Sequence, residues 1–135
     1  MVALLEKEII MTKTETLLRA LLGPVRDDVR PLAAVVDFVA ALLFEQDVPL
    51  DDVRVTKNVY PAVAAQLGRP ATAVSRSVER LTARCWSDGD PELLRAILGR
   101  KVSAPYSPRE TVICLAYYVH YGESMHEVLR KSLSI

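Results

Sequence analysis

Between Val53 and Arg84 six basic side chains, Arg54, Lys57, Arg69, Arg76, Arg80 and Arg84, stand against a single acid, Glu79. Clustered guanidinium and ammonium groups are what phosphate contacts require. A guanidinium held at the right height can also take both acceptors of a guanine edge, which reads sequence. Arg76 is placed for that role. At ~100° per residue it lies opposite Val74 and Val78, away from any core, with Thr72, Ser75, Glu79 and Arg80 around it. Arg69, Arg80 and Lys57 are the expected phosphate contacts. Glu79 would repel a phosphate but can accept from cytosine.

A rigid element must carry these groups, and the pattern from Tyr60 to Trp86 supplies one. Val63, Ala64 and Leu67 share one face of a short apolar helix that stops at Gly68. Pro70 then opens a second helix as its first residue, where a missing N–H costs nothing. Val74, Val78, Leu81 and Cys85 recur at spacings of four, three and four, one buried stripe. Two helices across a short Gly-containing turn make a helix-turn-helix, whose second helix enters a major groove. Here that recognition helix is Pro70–Cys85. Ala64, four residues before the turn glycine, lets the two helices approach closely.

The rest of the composition narrows the partners. Lysine and arginine total 17, as do aspartate and glutamate, so net charge is zero but unevenly spread. Residues 1–52 hold five Lys/Arg against ten Asp/Glu, and residues 85–135 hold six of each. The basic excess thus falls on the helix-turn-helix, and it equally fits an intramolecular match with the acidic N-terminal half. The most apolar segment, Leu32 to Phe44, is too short for a membrane span and carries Asp37. Acids interrupt MVALLEKEII where a secretory signal needs an apolar run. A cytoplasmic protein with no membrane partner is expected. Cys85 and Cys114 lack a second Cys or a His at metal-ligand spacing and read as reduced core residues. His120 and His126 have no paired cysteine or carboxylate cluster, and neither a phosphate loop nor a nucleophile elbow occurs. An enzyme, a cofactor, a metal site and a small-molecule substrate are not expected.

Along the chain every segment reads as helix or connector. Residues 1–13 form an N-terminal extension, and residues 14–135 the domain. Thr14 to Leu22 is a short helix stopped by Gly23-Pro24. A second helix from Pro31 to about Gln46 carries Leu32, Val35, Val36, Val39, Leu42 and Leu43 and should be central. Asp37 within it belongs at the helix edge or beside an arginine. Asp47 to Arg54 is a loop of solvated acids without the ligand alternation or central glycine of an EF-hand. Asp90 caps a helix opening at Pro91 and ending at Gly99. Ser107 to Glu110 opens the last main helix with a capping box, and Ser124 caps a terminal one. Trp86 reads as a core anchor. Of Tyr117, Tyr118 and Tyr121, two should pack inward, although such tyrosines also suit interfaces. The fold class is all-α, a compact bundle of about six helices containing a helix-turn-helix.

From Thr14 to the last helix the chain resembles a known family, the C-terminal DNA-binding (effector) domain of the sporulation-initiation response regulator of endospore-forming bacteria. Thr56-Lys57 and Val59-Tyr60-Pro61, followed by Val63-Ala64, carry the resemblance. So do Val74, Arg76 and Val78, then Trp86-Ser87 with Gly89, Ile97-Leu98-Gly99 and Val102-Ser103. Tyr60 to Gly99 lies on the family pattern without a gap. The resemblance implies six helices, recognition by Pro70–Cys85, and binding to short double-stranded DNA boxes near promoters as a homodimer or tandem pair. It implies regulation of transcription at the onset of sporulation.

The chain departs from the pattern in two ways. The family carries a phosphoacceptor receiver ahead of this domain, and too few residues precede the matched region here for phosphorylation-driven dimerisation to be expected. On the recognition helix, Ala73, Ser75 and Glu79 replace the family's residues, and Arg76 alone keeps the type. A sporulation-effector-type DNA-binding regulator is therefore the expected function. The competing expectation is a protein–protein interaction module that keeps the fold without specific DNA readout.

Overall fold

The computed structural model describes residues 12–133. The N-terminal extension expected over residues 1–13 therefore lies almost wholly outside the described residues. Seven α-helices are present among the described residues and no strand: α1 Lys13–Leu22, α2 Arg30–Ala40, α3 Tyr60–Leu67, α4 Ala71–Ser87, α5 Pro91–Leu98, α6 Pro108–Tyr121 and α7 Met125–Leu133. The chain is all-α, as its periodicity implies.

Three helices build the centre. α2 packs against α6, and α4 packs against both. Val35, Val36 and Val39 of α2 meet Val112, Leu115 and Ala116 of α6, with Val74, Val78, Leu81 and Cys85 of α4, all essentially inaccessible to solvent. Each such aliphatic side chain contributes roughly 1.5–3 kcal/mol on burial, so this stripe rather than helix propensity fixes α4 in place. The central role expected of the second helix is thus observed. Its α-helical pattern ends at Ala40, and one wider turn, Ala41–Glu45, follows, with the Gln46 N–H donating to the Ala41 carbonyl at 3.0 Å.

Local signals place most helix ends. Thr12 accepts from the Glu15 N–H at 3.1 Å, and Asp90 accepts from Glu92 and Leu93. Ser124 caps α7 by accepting from Glu127 at 3.1 Å. The Ser107 hydroxyl accepts from the Glu110 N–H at 3.2 Å and donates to Glu110 Oε1 at 3.0 Å. The glutamate is therefore spent on the cap side chain rather than on the Ser107 N–H of a full capping box. Pro70 is not the first helical residue. Its ψ of 147° is extended, α4 starts at Ala71, and the Pro70 carbonyl accepts from Ala73 at 3.0 Å.

Several single residues resolve simply. Asp37 is exposed at the helix edge, the first of the two placements expected, and accepts from the Thr14 hydroxyl, which ties α2 to the first turn of α1. Trp86 is half-buried, donates from Nε1 to Thr111 Oγ1 at 3.1 Å, and sits 5.3 Å from the Tyr106 ring. Tyr117 is buried, Tyr118 half-buried and Tyr121 exposed at the end of α6, beside Phe44 and His120. No described helix is long and apolar enough to cross a membrane.

Candidate nucleic-acid interface

α3 and α4 pack on one another through a three-residue connection, Gly68–Pro70. Gly68 adopts the left-handed conformation, φ 65° and ψ 37°, and its N–H closes α3 on the Ala64 carbonyl. Side chains other than glycine pay about 1–2 kcal/mol for that conformation, so the glycine is what allows the chain to turn this sharply into α4.

The buried stripe of α4 sets the phase of everything else on it. Thr72, Arg76, Glu79 and Arg80 are exposed, and Ser75 and Ala73 are half-buried at the edges. Five residues expected to meet DNA therefore share one side of one rigid helix. Among the described residues Arg76 has no ion-pair partner, and its guanidinium stands in solvent at the middle of that face. Lys57 is exposed on the wide turn Val55–Val59 that leads into α3.

The flank of α4 is different, because its arginines are already occupied. Arg84 Nη1 contacts Asp27 Oδ2 at 2.5 Å, and Arg80 Nε lies 3.5 Å from Asp27 Oδ1. In the turn, Arg69 Nη2 donates to Asp28 Oδ2 at 2.9 Å. Arg30 holds the same carboxylate from the other side, with Nη2 at 2.8 Å from Oδ2 and Nε at 2.8 Å from Oδ1. The Arg30 hydrogen bond, and then that of Arg69, keeps the Asp28 carboxyl well below the usual carboxylate range despite partial burial. The α1–α2 loop thus places two carboxylates against the three arginines bordering the exposed face. Two of them, Arg69 and Arg80, are expected phosphate contacts.

On the opposite flank, Glu79 forms part of the wall of a cavity of about 290 Å³ with Thr82, Ala83, Trp86, Ser87, Pro105, Tyr106 and Pro108. Its charge also reaches Tyr60. Burial pushes the Tyr60 phenol up, and the Glu79 carboxylate adds to the shift.

Asp27 and Asp28 are absent from the residue set read off the sequence, and Arg84 stands in its basic cluster without a role, although all three complete the electrostatics of this surface. The signal available was the acidic N-terminal half against the basic middle, which becomes specific only once α1 and α2 fold their connecting loop over α4. Arg109 is a second such residue. It donates from Nε to the Val53 carbonyl at 3.0 Å and from Nη2 to the Leu50 carbonyl at 2.8 Å. It thereby pins the loop that precedes Lys57 and α3.

Comparison of the chain with family models, with curated proteins and with solved structures gave no match.

Proposed function

We propose that the protein is a DNA-binding transcriptional regulator of the sporulation-effector type, with α3 and α4 as its helix-turn-helix and α4 as the recognition helix. The observation that carries this reading is the exposed side of α4. It presents Arg76, uncommitted, between Thr72, Ser75, Glu79 and Arg80, diametrically opposite a fully buried stripe. A recognition helix needs an apolar face that locks it and a polar ridge that can enter a major groove, and α4 has both, which supports this reading. In this reading Arg76 takes a guanine edge, Glu79 accepts from cytosine, and Lys57, Arg69 and Arg80 meet phosphates. The landmarks Tyr60-Pro61 and Trp86-Ser87 with Gly89 support the family assignment. The protein acts in the cytoplasm, on double-stranded DNA, as a homodimer or tandem pair, and no catalytic chemistry is assigned to it.

A second reading, a protein–protein module on the same fold, is favoured by one specific observation. Asp27 and Asp28 neutralise the arginines that border the face, and Glu79 lies on the face itself. The two readings separate in fluorescence anisotropy with a duplex carrying the resembled family's box and a scrambled duplex, at two salt concentrations. The regulator prefers the box and loses affinity steeply as salt rises. Equal and weak binding to both duplexes establishes the interaction module instead.

A further inference from the structure

We propose that the Asp27–Asp28 loop is an intramolecular competitor of DNA phosphate, occupying Arg69, Arg80 and Arg84 in the free protein and giving them up when a duplex binds. The inference rests on the DNA-binding reading above and adds the residues that set its affinity.

The geometry is that of substitution, one carboxylate for one phosphodiester. Both groups carry a single negative charge on two terminal oxygens, and both match the planar fork of a guanidinium. Each aspartate is shared between two arginines, Asp28 between Arg30 and Arg69 and Asp27 between Arg80 and Arg84. The arginines released would be those at the turn and along the flank of α4, where the backbone passes when the ridge of Arg76 enters a groove. Exchange is inexpensive because the pairs are partly solvated, with Arg69 and Arg84 side chains 36% and 38% exposed and Asp28 and Asp27 at 35% and 25%. Partly solvated ion pairs of this kind are weak, so phosphates at high local density can displace the carboxylates.

Two consequences follow from charge conservation. Each arginine that binds a phosphate releases a counterion from DNA, but each aspartate set free takes one up. Affinity is therefore lower, and its salt dependence shallower, than the number of arginines near the helix would give. The loop also penalises non-specific DNA, where no base contact from Arg76 offsets the exchange.

The test uses the full chain and a fluorescent mixed-sequence duplex, titrated at several salt concentrations. The variant Asp27→Asn with Asp28→Asn keeps the acceptor oxygen that receives the Arg30 N–H, so the loop turn is retained. It should bind about tenfold tighter at low salt, with the log–log salt slope steeper by about 1–2. Arg84→Gln supplies the second arm. In the parent it should change affinity less than about twofold, whereas in the asparagine background it should cost clearly more, a non-additivity that a merely structural role does not produce. Equal affinity of parent and asparagine variant, or equal cost of Arg84→Gln in both backgrounds, overturns the competitor while leaving DNA binding intact. Failure of both proteins to bind at low salt, with cooperative thermal melts preserved, overturns the DNA reading and the competitor with it.

Discussion

The Arg69 guanidinium donates to Asp28 Oδ2 at 2.9 Å, joining the turn ahead of α4 to a loop 41 residues earlier. Arg30 grips the same carboxylate and is the larger cause of its lowered pKa. The folded-state pKa of Asp28 lies below its value of about 3.9 in an unfolded chain. The stabilisation is therefore complete above that value and is lost as pH falls through it toward the folded pKa. Because the group is about one-third exposed, solvent screening keeps its worth under roughly 1 kcal/mol. Asp28→Asn should lower stability by no more than this at pH 7, and the difference should shrink steadily as pH falls from about 4 toward 2, measured by urea unfolding across that range.

The thiols titrate in the opposite sense. Burial pushes Cys85 up to about 12 and Cys114 up to about 11. An unfolded chain loses these protons near pH 8.5 while the folded chain retains them, so stability should fall as pH rises from about 8.5 toward 11. Both cysteines are free and buried. A thiol reagent at pH 8 should accordingly label neither at a rate above that of unfolding, and reaction should become complete in denaturant. Fast labelling of the native protein would contradict the observed core.

Two glycines should respond to alanine for different reasons. Gly68 has open space around an added Cβ but a φ of 65°, so Gly68→Ala should cost about 1–2 kcal/mol through backbone strain alone. Gly89 has no such φ, yet an added Cβ would come within 2.3 Å of the Cys85 carbonyl oxygen and 3.2 Å of Leu21. A backbone atom cannot yield as a side chain does, so Gly89→Ala should cost about 3 kcal/mol or more. Thermal unfolding of the two variants gives the ranking directly, and a Gly68→Ala variant less stable than Gly89→Ala would refute it.

How legible this molecule was depended on the range of the interaction concerned. Asp90, Pro91 and Gly99 bound α5 because capping chemistry acts within one turn, and the stripe Val74–Val78–Leu81–Cys85 fixed the phase of α4 for the same reason. The outward direction of Arg76 followed from that phase. The state of its neighbours did not. Arg84 and Asp27 are 57 residues apart, and nothing local to either predicts their contact. The charge asymmetry announced that acids and bases would meet, without saying which. Asp37 shows the same limit, since its exposed place at the helix edge was legible and its partner, the Thr14 hydroxyl 23 residues away, was not. Tyr117 and Tyr121 lie one turn apart on α6 with their rings stacked, yet one is buried and the other exposed, a difference that helical spacing alone does not carry.

The central claim is that α4 reads DNA through Arg76, and the most direct measurement is the affinity of Arg76→Ala relative to the parent for box and scrambled duplexes. Loss of a bidentate guanine contact removes about 1–3 kcal/mol from the box alone. The account predicts that the variant binds both duplexes with the affinity the parent shows for the scrambled one. Equal weakening on both duplexes would make Arg76 a phosphate contact and contradict the assignment of base readout to this helix face.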